Sequence, residues 1–106
     1  MGKKTYLEKY IFKGLRNLND GFDSESIKYF SQEDFKIVLD RVEEKGIGIH
    51  GIEPWKNKEF FDVKVCEEYS KDPTDPRWYR KAFQEFIEAD KELMYAATYL
   101  IPDKIK

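Results

Sequence analysis

Cysteine and histidine are nearly missing from this 106-residue chain, which has one of each, Cys66 and His50. A lone cysteine cannot close an intramolecular disulfide, so a disulfide-stapled scaffold is excluded and a reducing, cytoplasmic setting is expected. One histidine and one cysteine cannot supply the ligands of a structural zinc centre, and residues 19–25 lack the ordered ligand spacing of a calcium loop. No metal or other cofactor is expected. The chain also lacks a long apolar run, which argues against a membrane span and a secretory leader. Neither sign of charge prevails: 19 basic and 21 acidic side chains leave a formal net charge of -2. That is too weak a field to draw the chain to a phosphate backbone or an anionic bilayer, so neither nucleic acid nor membrane is expected as a partner.

Charge and aromatic content are both high. Charged residues make up 38 % and aromatic residues 16 %; a chain so rich in aromatics folds rather than staying disordered. Its length suits one domain over residues 1–106.

Hydrophobic spacing then organises the chain. Leu7, Tyr10, Ile11, Leu15 and Leu18 recur at helical intervals, predicting an amphipathic helix from Thr5 to about Leu18, with Thr5 and Glu8 as its capping box and the turn formers near Gly21 as its end. The alternating stretch 26–30 predicts a short strand. A second capping box, Ser31 with Asp34, introduces Phe35, Val38, Leu39 and Val42 at helical spacing before Gly46 closes the helix. A strand from Ile47 to Ile52, a turn over 53–59 and a second strand with Phe61, Val63 and Val65 alternating read as a hairpin. The glycines of the first strand permit a bulge, with Gly51 letting Ile52 change face. Asp75 as N-cap and Pro76 at the first helical position start another helix, carrying Tyr79, Ala82, Phe83, Phe86 and Ile87 on its apolar side. Residues 92–101 supply the last strand and 102–106 a frayed tail.

From residue 26 the order is β-α-β-β-α-β. It predicts an α+β, ferredoxin-like split βαβ core over 26–101, a four-stranded antiparallel sheet with two helices on one face, preceded by the N-terminal helix and loop of residues 1–21.

Candidate sites are sparse. A hairpin turn centred near Lys56 places His50 across from Asp62, a pairing read as a surface histidine beside a solvated acid or, alternatively, as a general base. The same register sets Cys66 four residues away from His50, roughly 13 Å, too far for a Cys-His nucleophilic pair, and the acids after Cys66 disfavour its thiolate. Phe60 stands where an RNA-stacking aromatic would, but Glu59 and Asp62 beside it repel phosphate.

More aromatics exist than one face of a small sheet can bury. The N-terminal helix, a second copy of the chain or a partner is therefore expected to cover the second face, with the helix favoured. Trp55 at the hairpin tip and Trp78 on the flank of the third helix are the expected contacts for a protein partner. The leading functional expectation is a small non-catalytic interaction or regulatory protein of the inhibitor or immunity kind, masking a basic surface. The alternative is a homodimer enclosing a small-molecule or enzymatic pocket lined by His50, Asp62, Tyr95 and Tyr99, and RNA binding comes third.

Overall fold

A computed structural model describes residues 2–103 of the chain. Residues 104–106, most of the expected tail, lie outside the described residues. The architecture is α+β, a four-stranded antiparallel open sheet with three helices.

The best-written helix in the sequence forms as its signals direct. α2 spans Gln32–Lys45, the Ser31 hydroxyl accepts the Asp34 amide at its start, and Gly46 ends it with φ 71°. That left-handed conformation costs glycine nothing. Phe35, Val38, Leu39 and Val42 are buried along one side. α3, Pro76–Ala89, is likewise capped by Asp75, whose carboxylate accepts the Arg77 amide, and it buries Trp78, Tyr79, Ala82, Phe83 and Phe86.

The centre of the sheet is β1, Gly48–Lys56, paired on one side with β4, Met94–Leu100, and on the other with β2, Glu59–Phe60, and β3, Lys64–Val65. A register shift between Ile49 and Gly51 makes His50 the extra residue of a bulge. The bulge lets Ile49 and Ile52, three apart, both be buried, which an unbroken two-residue alternation forbids. β4 turns Tyr95 and Tyr99 inward, where the Tyr95 ring stacks on Phe35 of α2 and meets Phe83 and Phe86 of α3.

The hairpin differs from its expected form. β1 continues through Pro54 to Lys56, and the turn falls on Asn57 and Lys58, both at positive φ (51° and 65°). Two consecutive left-handed residues match the right-handed twist of a two-residue hairpin. The Pro54 carbonyl accepts the Phe61 amide, so its nitrogen also faces the returning strand but has no hydrogen to give. The ladder breaks there, splitting the expected second strand into β2 and β3. Cys66–Glu68 leave the sheet as a 3₁₀ turn.

The expected first strand is reduced to one bridge, Phe30 with Tyr95, on the outer edge of β4. The backbone beside it is engaged elsewhere: Tyr29 receives the Leu18 amide on its carbonyl and gives its own amide to Asn17, and Ile27 accepts from the Asn19 side chain. The pairing therefore runs β2/β3, β1, β4 and the Phe30 bridge. In a ferredoxin-like order the first strand would be internal, and here it is peripheral.

The N-terminal helix is shorter than its spacing suggests. α1, Lys3–Tyr6, passes into a wider π turn, Leu7–Ile11, and Gly14 at φ 80° bars its continuation. Its start precedes Thr5, with Gly2 as N-cap and no side-chain cap, so the Thr5–Glu8 capping box does not form. Nor does the helix cover the second face. Arg41 of α2 donates to the carbonyls of Ile11 and Lys13 at 2.9 and 2.8 Å, and Phe12 packs between Phe30 and the inward-facing Tyr99. It lies on the helical side, beside α2.

The segment 70–75 closes the near end of β1. The Ile49 amide donates to the Pro73 carbonyl at 3.0 Å, and the Trp78 indole donates to the Ile49 carbonyl at 3.1 Å. A Cβ on Gly48 would stand 3.0 Å from Pro73 backbone and side chain. Gly48→Ala therefore forces this contact apart, and an expected loss of about 1–3 kcal/mol is read from urea unfolding; an unchanged midpoint would show that the 70–75 segment yields freely.

Candidate functional site

Glu53 and Trp55 lie on the sheet face opposite the helices, because Ile52 and Pro54, which alternate with them, point inward. What crosses this face is the loop over residues 17–29, a strap. Phe22 and Tyr29 lay their rings against Trp55, at 5.4 and 5.6 Å between centroids. The Asn19 amide gathers the strap by donating to the Ser24 and Ile27 carbonyls, each at 2.8 Å, while its oxygen accepts the Gly21 amide. Two of the strap's own carboxylates fasten it: Asp23 accepts the Tyr29 hydroxyl at 2.6 Å, and Asp20 pairs with Lys58 of the hairpin turn at 2.9 Å.

The strap leaves a shallow groove of about 240 Å³ beside it, between Tyr29 and the β3 edge, with His50, Gly51, Glu53 and Ala96 along its length. Beyond the groove lies an open sheet edge. Phe60, Phe61 and Val63 are exposed there by 56, 38 and 42 %, a run of large apolar side chains facing water. Four carboxylates, Glu59, Asp62, Glu67 and Glu68, share the stretch with a single cation, Lys64. Lys64 is drawn inward, to Glu85 at 3.4 Å and over the Phe86 ring. The edge is thus apolar and acidic together.

Several expected site residues sit elsewhere. Trp78 is not exposed on the flank of α3: it is buried, because its indole N–H has the Ile49 carbonyl to bond. Trp55 is half-buried, with the strap on its ring and Glu53 accepting its indole N–H. Tyr95 and Tyr99 lie on the helical side of the sheet, away from His50, so the pocket expected from those four residues is not assembled.

His50 is exposed but does not face Asp62. The true turn shifts the register so that Gly51 pairs with Val65 and Ile52 with Lys64. Asp62 falls opposite Glu53 or Pro54, and its carboxylate accepts the Val63 amide. The same shift corrects the separation of His50 from Cys66: both line one depression with Pro73 and Ser70. The thiol is nonetheless poorly suited to attack. It is buried against the Ser70 carbonyl, and desolvation, then Asp72, Glu67 and Asp75, push its pKa up.

The buried phenols behave alike. The hydroxyls of Tyr79, Tyr95 and Tyr99 find no hydrogen-bond partner among the described residues, and desolvation raises all three, Tyr79 to about 12. They stay neutral. No group of three or more His, Cys, Asp or Glu among the described residues is arranged to hold a metal ion, and no helix there is long and apolar enough to cross a membrane.

The strap and the acidic edge were missed in the sequence reading. Asn17 and Asn19 are the strap's organisers, and asparagine recurring at two-residue spacing before Asp-Gly was the available signal. No family model, curated protein or solved structure matches the chain.

The carboxylate clasps make the strap acid-sensitive. Asp23 is held below the usual carboxylate range, first by the Tyr29 hydroxyl and then by the Ser24 amide, and Asp20 by Lys58. A depressed carboxylate stabilises above its unfolded pKa of about 4, and that contribution disappears as pH falls through the folded value. The Trp55 indole NMR signal is expected to lose its folded position below about pH 4, and Tyr29→Phe to move this loss to higher pH; identical profiles for both proteins would remove the clasp. Cys66 is expected to alkylate with iodoacetamide only at the rate of unfolding, and labelling of the folded protein as fast as that of a denatured control would contradict its burial.

Proposed function

We propose that this chain is a small acidic protein-interaction domain, of the inhibitor or immunity kind, that masks a basic surface on another protein through its β2–β3 edge. One observation carries the reading: the exposed apolar run Phe60, Phe61 and Val63 lies along an unpaired sheet edge with Glu59 and Asp62 interleaved, and Glu67 and Glu68 follow in the turn that leaves the sheet. Exposed edges invite another strand, and natural proteins usually blunt them with lysine or proline. Here the only lysine is turned inward and the proline sits in the neighbouring strand.

The charge selects the occupant. Two copies meeting edge to edge would bring like carboxylates together, and a phosphate backbone would meet the same repulsion. A partner offering lysines or arginines between apolar side chains is complementary on both counts. Trp55 supports this surface from behind, with Phe60 edge-on to its ring at 6.3 Å.

The test is native mass spectrometry of the protein isolated gently from its own cells. The expected result is a one-to-one complex with a different protein that weakens at least about tenfold between 50 and 200 mM salt, as screened charge contacts do. The double variant Phe60→Ser, Phe61→Ser and the charge reversal Asp62→Lys each remove the complex while circular dichroism stays unchanged. A bare monomer, a homodimer, or a complex indifferent to these variants would overturn the reading.

A further inference from the structure

The groove beside the strap is contiguous with the proposed docking edge, because Val65 of β3 and Val63 just before it line the groove. Its floor is left open by small residues, Gly51 and Ala96, and it runs alongside the buried Tyr29. The one anionic group along it is Glu53, whose carboxylate is held half-buried by the Trp55 indole N–H. At about 240 Å³ the groove is smaller than the roughly 300–1,000 Å³ typical of pockets for independent small ligands. It suits a single long side chain.

Resting on the reading that the edge docks a basic protein segment, we propose that this groove receives one arginine side chain of the partner. Its methylene stem lies on Val63, Val65 and Ala96, and its guanidinium meets the Glu53 carboxylate. Arginine fits better than lysine because a planar, weakly hydrated guanidinium loses less on entering a confined, largely apolar groove and pairs with a carboxylate there. The Glu53 side chain is already oriented by Trp55, so little freedom is lost on binding. A strand lying along β3 would carry alternate side chains onto this face, which is how the edge and the groove would be read together.

The probe is butylguanidinium, with butylurea as its neutral isostere, titrated into the isotopically labelled protein and followed by amide NMR. Butylguanidinium is expected to shift the Gly51, Glu53 and Ala96 signals saturably, with butylurea at least about tenfold weaker. Glu53→Gln, which can still accept the Trp55 indole hydrogen, is expected to abolish the difference between the probes while the Trp55 signal keeps its position. Equal responses to both probes, or no groove response, would overturn the assignment. If that happens while partner binding still depends on Phe61 and Asp62, the groove fails and the edge stands. A groove that discriminates the probes in a protein whose edge variants keep their partner overturns the edge and with it the partner arginine, leaving a bare guanidinium site.

Discussion

Tyr95 is the side chain through which the layers are tied. Its ring stacks on Phe35 of α2 and stands edge-on to Phe83 of α3, while its backbone exchanges both hydrogen bonds with Phe30. One residue of β4 thus fixes where both helices lie and where the chain enters α2. The cost is a phenol hydroxyl without a hydrogen-bond partner among the described residues, of order 1–3 kcal/mol, offset by the aromatic area buried around it. With the helical side so full, the strap is what remains to cover the outer face.

Local chemistry was readable where it acts within a few residues. The Ser31 and Asp75 caps, the Gly46 stop and the apolar spacing of both long helices all appear as their residues specify. The bulge beside Gly51 was readable for the same reason, since two buried isoleucines three apart cannot share one face of a regular strand. Apart from the Thr5–Glu8 capping box, which the earlier start of α1 at Lys3 leaves unformed, and the placing of the hairpin turn, what failed depended on partners distant in sequence. Residues 26–30 have good strand propensity, but Asn17, Leu18 and Asn19 occupy their backbone, and Trp78 looks like a flank residue until the Ile49 carbonyl is placed beside it.

The site suffered from a smaller error with larger reach. Reading Pro54 as a turn former instead of a strand residue moved the hairpin turn away from Asn57 and Lys58, and that displacement alone set His50 against Asp62. In the structure the proline is inside the central strand, and its missing hydrogen interrupts the neighbouring ladder. The exposed apolar run lies at this interruption. The same residue that misled the register therefore shaped the surface on which the functional reading rests.

That surface also bears on how the chain survives alone. An apolar, β-favouring stretch such as 60–65 is the kind of segment that nucleates cross-strand aggregation when it is left open, and acidic residues beside it act as gatekeepers. Glu59 and Asp62 hold that position here. Their charge sets free copies against one another, and under the proposed reading the same carboxylates that would meet a basic partner also guard the edge until it arrives.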